Sequence, residues 1–299
     1  MIPIGNAAGW VKTPSDAERL IQLPSDILKH ITLGSYTLLE RAGNSGNPFW
    51  DNQQHPPVSL NALGLPNPGF EKARDFLPGV IRKIHDSGKI ARVSIAGFSP
   101  EEFQKMARML CGIGLYEIEL NLGCPNVRDG GKQKPIFAFY PELVREVIMA
   151  VDEVTDHVGA PGIAVKLSPY SDPMLLEQVA QVLADTPSSA ARTVVTCNTF
   201  PNAIGFAERK HVIDANDGYA GLAGEPLRHI ALGQVRRFRE LLPKEFTVVG
   251  VGGISAGQHV LDMRTAGASS VQVGTAFFAY DDPKVFVQLA SDSFEENDH

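Results

Sequence analysis

The stretch Glu119-Leu120-Asn121-Leu122-Gly123-Cys124-Pro125-Asn126-Val127 sets two carboxamides around a thiol in a turn held by Gly and Pro. A carboxamide carries a donor and an acceptor side by side, so a pair matches a planar heterocycle or amide whose edge alternates C=O and N–H. The cysteine between them could act as a nucleophile or a general base. Its bland alternative is a small buried thiol in a tight turn. Asn61, in Ser59-Leu60-Asn61-Ala62-Leu63-Gly64-Leu65-Pro66-Asn67, and Asn198, in Thr196-Cys197-Asn198-Thr199, add two further carboxamides. Gly64 permits close approach of the backbone beside the first. Lys166, in Val165-Lys166-Leu167, ends an apolar run and must reach solvent, a carboxylate or a bound anion.

Two glycine turns complete the set, Val249-Gly250-Val251-Gly252-Gly253-Ile254-Ser255 and Val273-Gly274-Thr275-Ala276. Backbone N–H groups at the starts of helices suit a phosphate, and the spacing fits neither the Walker A nor the dinucleotide pattern. Eight histidines are scattered without ligand spacing, so no metal is expected, and no G-x-S-x-G elbow is present. Glu117 and Glu119 alternate on one strand and read as polar residues facing helices rather than as a catalytic pair.

Short β-rich apolar runs must position these groups. They fall at 2–4, 31–36, 91–95, 116–120, 163–167, 193–197, 247–251 and 270–273, with helical stretches at 100–111, 141–155, 173–183, 226–241, 256–266 and 283–291. Several helices open with Pro after a capping Ser or Asp, as at Ser99-Pro100 and Asp172-Pro173. Eight alternating units favour an α/β chain forming one (β/α)8 TIM barrel over residues 1–299, with a doubly wound open sheet as the alternative. Two stretches, 39–69 and 199–224, break the rhythm after strand ends and read as long loops over the C-terminal face. In such a barrel chemistry sits on that face, and phosphates bind after strands seven and eight.

Composition narrows the classes further. With 43% hydrophobic and 20% charged residues, the chain buries a full core, and disorder, collagen and coiled coil are excluded. A formal charge of −7, from 27 Lys+Arg against 34 Asp+Glu without a basic run, argues against nucleic acid. No apolar stretch approaches the roughly 20 residues of a membrane span, and the start has no signal-like pattern, so a cytoplasmic, membrane-free protein is expected. Three scattered cysteines suggest neither a disulfide framework nor a zinc site.

Taken in order, Asn6-Ala7-Ala8-Gly9, Ser59 to Asn67, Ser94-Ile95-Ala96-Gly97, Glu119 to Val127, Val165-Lys166-Leu167, Asn198-Thr199, Gly252-Gly253-Ile254 and Val273-Gly274-Thr275 resemble the dihydroorotate dehydrogenase family, in its soluble class 1A-like branch. The cysteine in Asn-Leu-x-Cys-Pro-Asn separates that branch from the membrane-associated class, which uses serine. The resemblance implies an FMN-containing (β/α)8 barrel that oxidises dihydroorotate to orotate in pyrimidine biosynthesis. It implies Cys124 as the base at C5 while hydride leaves C6 for the flavin. Asn61, Asn121, Asn126, Asn198 and Thr199 would orient the pyrimidine, and Leu63, Gly64 and Leu65 would help hold its carboxylate. Ala7, Ala8, Gly9, Ser35, Asn61, Asn121 and Gly224 would line the flavin, with Lys166 beside its ring and Gly252, Gly253, Gly274 and Thr275 at its phosphate. The stretch 128–134 would act as a lid. A homodimer is implied, with fumarate or another soluble oxidant as acceptor; an iron–sulfur/flavin electron-transfer subunit is the alternative.

Three places depart from the family pattern, of which Asn44-Ser45-Gly46, which reads as an insertion, and Ala8, in place of a small hydroxyl residue, are the milder. Where the family carries Lys-Ser at the end of the second strand, this chain reads Gly34-Ser35-Tyr36-Thr37-Leu38. That loss removes a cation from the substrate carboxylate. It leaves open a paralogous FMN oxidoreductase acting on another dihydropyrimidine or cyclic amide, or a barrel that binds without turnover.

Overall fold

The computed structural model describes residues 2–129, 132–188, 190–279 and 282–295. Eight parallel strands close into a barrel: β1 (Ile4–Asn6), β2 (His30–Tyr36), β3 (Ile90–Ile95), β4 (Glu117–Asn121), β5 (Gly162–Lys166), β6 (Ala191–Val195), β7 (Thr247–Val251) and β8 (Ser270–Val273). Each expected strand is present within a few residues, and neighbours follow chain order around the ring, with β8 returning to β1. The fold is therefore the (β/α)8 barrel, not the open sheet. The first strand lies two residues further along than the apolar run and ends on buried Asn6, whose side chain bonds both N–H and C=O of Thr32 at 2.9 Å.

Nine helices are described: α1 (Pro14–Ile21), α2 (Phe70–Asp86), α3 (Pro100–Leu110), α4 (Pro141–Thr155), α5 (Pro173–Asp185), α6 (Arg228–Leu241), α7 (Gly257–Ala266), α8 (Thr275–Ala279) and α9 (Lys284–Glu295). Proline opens α3, α4 and α5, and the side chains of Ser99 and Asp172 cap two of them. The sequence reading did not include α1, α2 or α8. Pro78 and Gly79 interrupt the middle of α2, yet Phe70, Ala73, Leu77, Val80, Ile81 and Ile84 recur on one face and are buried. Burial of that stripe outweighs the proline's cost.

The direction of the glutamates corrects the sequence reading. Glu119 is fully buried; its Oε2 accepts from Gln272 Nε2 at 2.8 Å, and its Oε1 lies 3.6 Å from Lys166 Nζ. Gln272 stands on β8, on the far side of the ring from β4, so both side chains point into the barrel. Glu117, two residues earlier, shares that face by strand alternation and pairs with Arg92 of β3. The polar positions of β4 face inward because they belong to an ionic interior, not to the helix layer.

The two long excursions meet above the strand ends. Residues Phe49–Asp51, Val58–Asn61, Ala220–Gly224 and Phe200–Ala203 form one antiparallel sheet, in which Asn61 pairs with Gly221. Leu60, Ala62, Ile213, Ala215 and Ala220 give it a small core of its own, with Trp50 packed against them. A short hairpin, Arg128–Asp129 with Lys132–Gln133, follows β4; the tip of the expected lid, residues 130–131, lies outside the described residues. Among the described residues no helix is long and apolar enough to cross a membrane.

Candidate active site

Asn121 is the last residue of β4, and three strands fix its amide. Its Nδ2 donates to Ser35 Oγ at 2.9 Å, and its Oδ1 accepts from Asn198 Nδ2 at 3.0 Å. Ser35 in turn shares a 2.8 Å hydrogen bond with Ser94 Oγ. Asn198 Oδ1 in turn accepts from the Thr199 N–H at 2.8 Å, so both ends of the Asn121 and Asn198 amides are engaged and the network determines their flip states. Cys124, Asn61, Asn121, Asn198, Thr199, Leu63, Gly64 and Leu65 line one pocket, together with Ala8, Gly9, Ser35 and Lys166. Leu65 takes φ +61° there, a backbone state that non-glycine residues seldom hold away from functional turns. Thr199 Oγ1 is buried in the pocket wall without a hydrogen-bond partner.

Asn126 stands one layer behind. Its Nδ2 donates to the carbonyl of Asn61 at 2.6 Å, and the Asn126 carbonyl accepts from Asn44 Nδ2 at 3.0 Å. The side chain thus locks the thiol turn to the Asn61 strand, and Asn126 is not among the residues lining the pocket.

A second cleft continues from the first through shared walls at Ala8, Trp10, Asn61, Lys166, Asn198 and Thr199. Ala7, Gly224, Gly252, Gly253, Gly274 and Thr275 line its far end, where Ser59 Oγ and Thr275 Oγ1 are 3.1 Å apart. Gly253 has φ +73°, and a Cβ there would fall 2.5 Å from Cβ of Arg228. Only a bare backbone fits, so the N–H groups after β7 reach the cleft unobstructed. Lys166 stands at the junction of the two cavities, held from below by Glu119. Every residue expected in the site except Asn126 borders one or both cavities.

Electrostatics single out the thiol. Burial pushes the Cys124 thiol above its ordinary range, while a hydrogen bond from the Asn126 backbone and the charges of Lys12, Lys166 and Arg41 act against it. The other interior thiol, Cys197, is driven by burial up to about 12 and stays protonated. Lys12 is lowered by burial to about 8, with Cys124 and Asp16 opposing the shift.

Lys12, Trp10 and Arg41 were absent from the sequence expectations. Lys12 borders the thiol pocket, and Trp10 walls the second cleft, stacked on Phe278 with centroids 3.4 Å apart. Arg41 donates to the carbonyls of Gly64 at 3.1 Å and Arg128 at 2.7 Å, tying the Asn61 loop to the hairpin. A signal for Lys12 does exist in the sequence: Thr13-Pro14-Ser15-Asp16 is a capping box, which brings residue 12 to the mouth where α1 begins.

The family model described as dihydroorotate dehydrogenase matches residues 1–294. A Streptococcus uberis protein named dihydroorotate dehydrogenase A (fumarate) is 27% identical over 277 residues, covering 92% of this chain and 83% of its own. A Streptococcus pneumoniae serotype 4 protein of the same name is 31% identical over 231 residues, covering 77% and 70%. The crystal structure of DHODH from Eimeria tenella in complex with ferulenol superposes with a TM-score of 0.79 at 18% identity, over 98% of this chain and 80% of that one, a likeness of fold. With the thiol, its carboxamides and the glycine turns gathered at the barrel mouth, and with a family match running nearly end to end, the chain belongs to the dihydroorotate dehydrogenase family of flavin-dependent oxidoreductases acting on CH–CH donors.

Proposed function

We propose that this protein oxidises dihydroorotate to orotate with FMN as its flavin and a soluble oxidant such as fumarate as final acceptor. The observation that carries the reading is the placement of Cys124 in one pocket with Asn61, Asn121 and Asn198, opening directly into a glycine-edged cleft over Lys166. The lining fits FMN: the bare backbone at Gly252, Gly253 and Gly274 would hold its phosphate, and Lys166, at the junction of the two cavities, would supply a cation to its ring. Bound FMN supplies the acceptor for the hydride that leaves C6.

The chain's own residues do the rest. Cys124, as thiolate, removes the proton at C5, so that the C5–H and C6–H bonds give way to a C5=C6 double bond. Asn61, Asn121 and Asn198 present alternating donors and acceptors to the ring amides, and Thr199 Oγ1 offers one more polar group. Asn126 keeps the thiol turn in register with Asn61. Lys12, Lys166 and Arg41 lower the cost of the thiolate.

The test is direct. The purified protein is expected to show a flavin spectrum that anaerobic dihydroorotate bleaches, and a colourless protein that does not take up FMN would end the reading. A second reading, oxidation of an uncharged dihydropyrimidine or cyclic amide, draws on the missing side chain at Gly34. Bleaching by dihydrouracil and not by dihydroorotate would establish it instead.

A further inference from the structure

Three cations stand near Cys124, and two are already engaged. Lys166 is held by Glu119 at 3.6 Å. Arg41 is spanned between the carbonyls of Gly64 and Arg128, with its guanidinium 5.0 Å from the Phe98 ring centroid. Lys12 differs from both. Its Nζ donates to the carbonyl of Pro66 at 2.5 Å, and among the described residues no carboxylate forms an ion pair with it. Asp16, the nearest in sequence, turns its Oδ2 to the backbone N–H groups of Lys12 and Thr13, each at 2.9 Å. An ammonium has three donors, so this one keeps capacity at a pocket lined by a thiol and the three carboxamides of Asn61, Asn121 and Asn198 but by no carboxylate.

The backbone of Lys12 is also pinned. Its N–H is fixed by Asp16, and its carbonyl accepts from the hydroxyl of buried Tyr36 at 2.9 Å. Behind it, Gly34 N–H donates to Val11 O at 2.8 Å and Gly9 N–H donates to Gly34 O at 2.6 Å, so the segment carrying Lys12 lies directly on Gly34. Gly34 has φ +98°, and a Cβ there would sit 2.4 Å from the carbonyl oxygen of Ser94. No side chain can enter the pocket from residue 34 in this backbone. The cation enters from residue 12, at the start of α1.

We propose that Lys12 receives the carboxylate of the substrate and so selects a carboxylated dihydropyrimidine over an uncharged one, an inference that rests on the function proposed above. A charge-assisted hydrogen bond in a half-buried pocket discriminates between a ligand that has the anion and one that lacks it. Pro66, which Lys12 bonds, follows directly on Leu63–Leu65, and all of them border the pocket, so a carboxylate bound by Lys12 would lie beside that turn.

The experiment titrates orotate and uracil into the FMN-loaded protein and follows the flavin absorbance, for the wild type, Lys12→Met and Lys12→Arg, with melting temperatures as a control of folding. Lys12→Met is expected to weaken orotate by about tenfold to a hundredfold, to leave uracil within about twofold, and Lys12→Arg to recover part of the loss. Orotate binding to Lys12→Met within twofold of wild type, or equal losses for both ligands, overturns the role of Lys12 while the dihydroorotate reading stands. A wild type that neither binds orotate nor is bleached by dihydroorotate overturns both together.

Discussion

The two ends of the barrel interior treat charge in opposite ways. At the N-terminal ends of the strands, Arg92 Nε and Glu117 Oε2 lie 2.7 Å apart, both buried, and His30 beside them is kept neutral, its pKa lowered to about 3 by burial and by the charges of Arg92 and Lys29. Cation and anion cancel there. At the C-terminal ends, Lys12, Arg41 and Lys166 act on one thiol, and among the described residues the only carboxylate in an ion pair with any of them is Glu119. A chain with a formal charge of −7 thus gathers three cations around the thiol at the mouth. Balanced buried pairs are required for the protein to fold with those groups inside, whereas an unbalanced set is stable only at an open mouth and favours an anionic ligand.

Substitutions at the two ends should therefore separate. Replacing the thiol has the largest expected effect: Cys124→Ser should slow flavin reduction by dihydroorotate at neutral pH by about a hundredfold to ten-thousandfold, with an unchanged melting temperature, as read by anaerobic stopped-flow absorbance. At the opposite end, Glu117→Ala leaves Arg92 buried alone and should cost about 3–5 kcal/mol of stability. Urea unfolding measures that loss, and the folded fraction should reduce its flavin at the wild-type rate. If Glu117→Ala instead slowed reduction and spared stability, the contrast between the ends would collapse.

Smaller effects sharpen the picture of the mouth. Gly253→Ala drives a methyl into Arg228, and overpacking of about 1–3 kcal/mol should appear as weaker FMN retention on dialysis. The pH profile should be two-sided. Reduction rises with pH because Cys124 must lose its proton, and burial holds that pKa above the ordinary thiol range. Affinity for orotate falls as pH rises through about 8, where Lys12 loses its charge. Asp16, Tyr36, Lys166 and Arg41 face the same region, so the assignment is made by variant: Lys12→Met should abolish the alkaline loss of binding and move the thiol limb to higher pH.

Much of this architecture was legible in the residues. Short runs rich in Val, Ile and Leu between turn residues and helical stretches marked all eight strands, even where polar residues alternate, as in Glu117–Asn121. Helix α2 could not, because Pro78 and Gly79 speak against it locally and only contacts with the barrel reveal the buried stripe. The sheet over the mouth was legible only as two irregular loops, since Asn61 and Gly221 pair across 160 residues and no local pattern encodes a partner so distant. Within the site, Cys124, Asn61, Asn121, Asn198 and Lys166 announced themselves as polar groups at strand ends. Glu119 was misjudged because alternation says which residues share a face but not which face closes inward.

By itself, then, the sequence determined the eight alternating strand–helix units, the thiol between carboxamides and the glycine turns, all consequences of local spacing and residue type. Only the tertiary structure decided that Glu119 points inward to hold Lys166, that the two excursions roof the pocket together, and that Lys12 stands where Gly34 can carry no side chain. These depend on ring closure, which brings residues 12, 34, 66 and 124 together in space, and charge in a pocket is a property of that assembly rather than of any one segment.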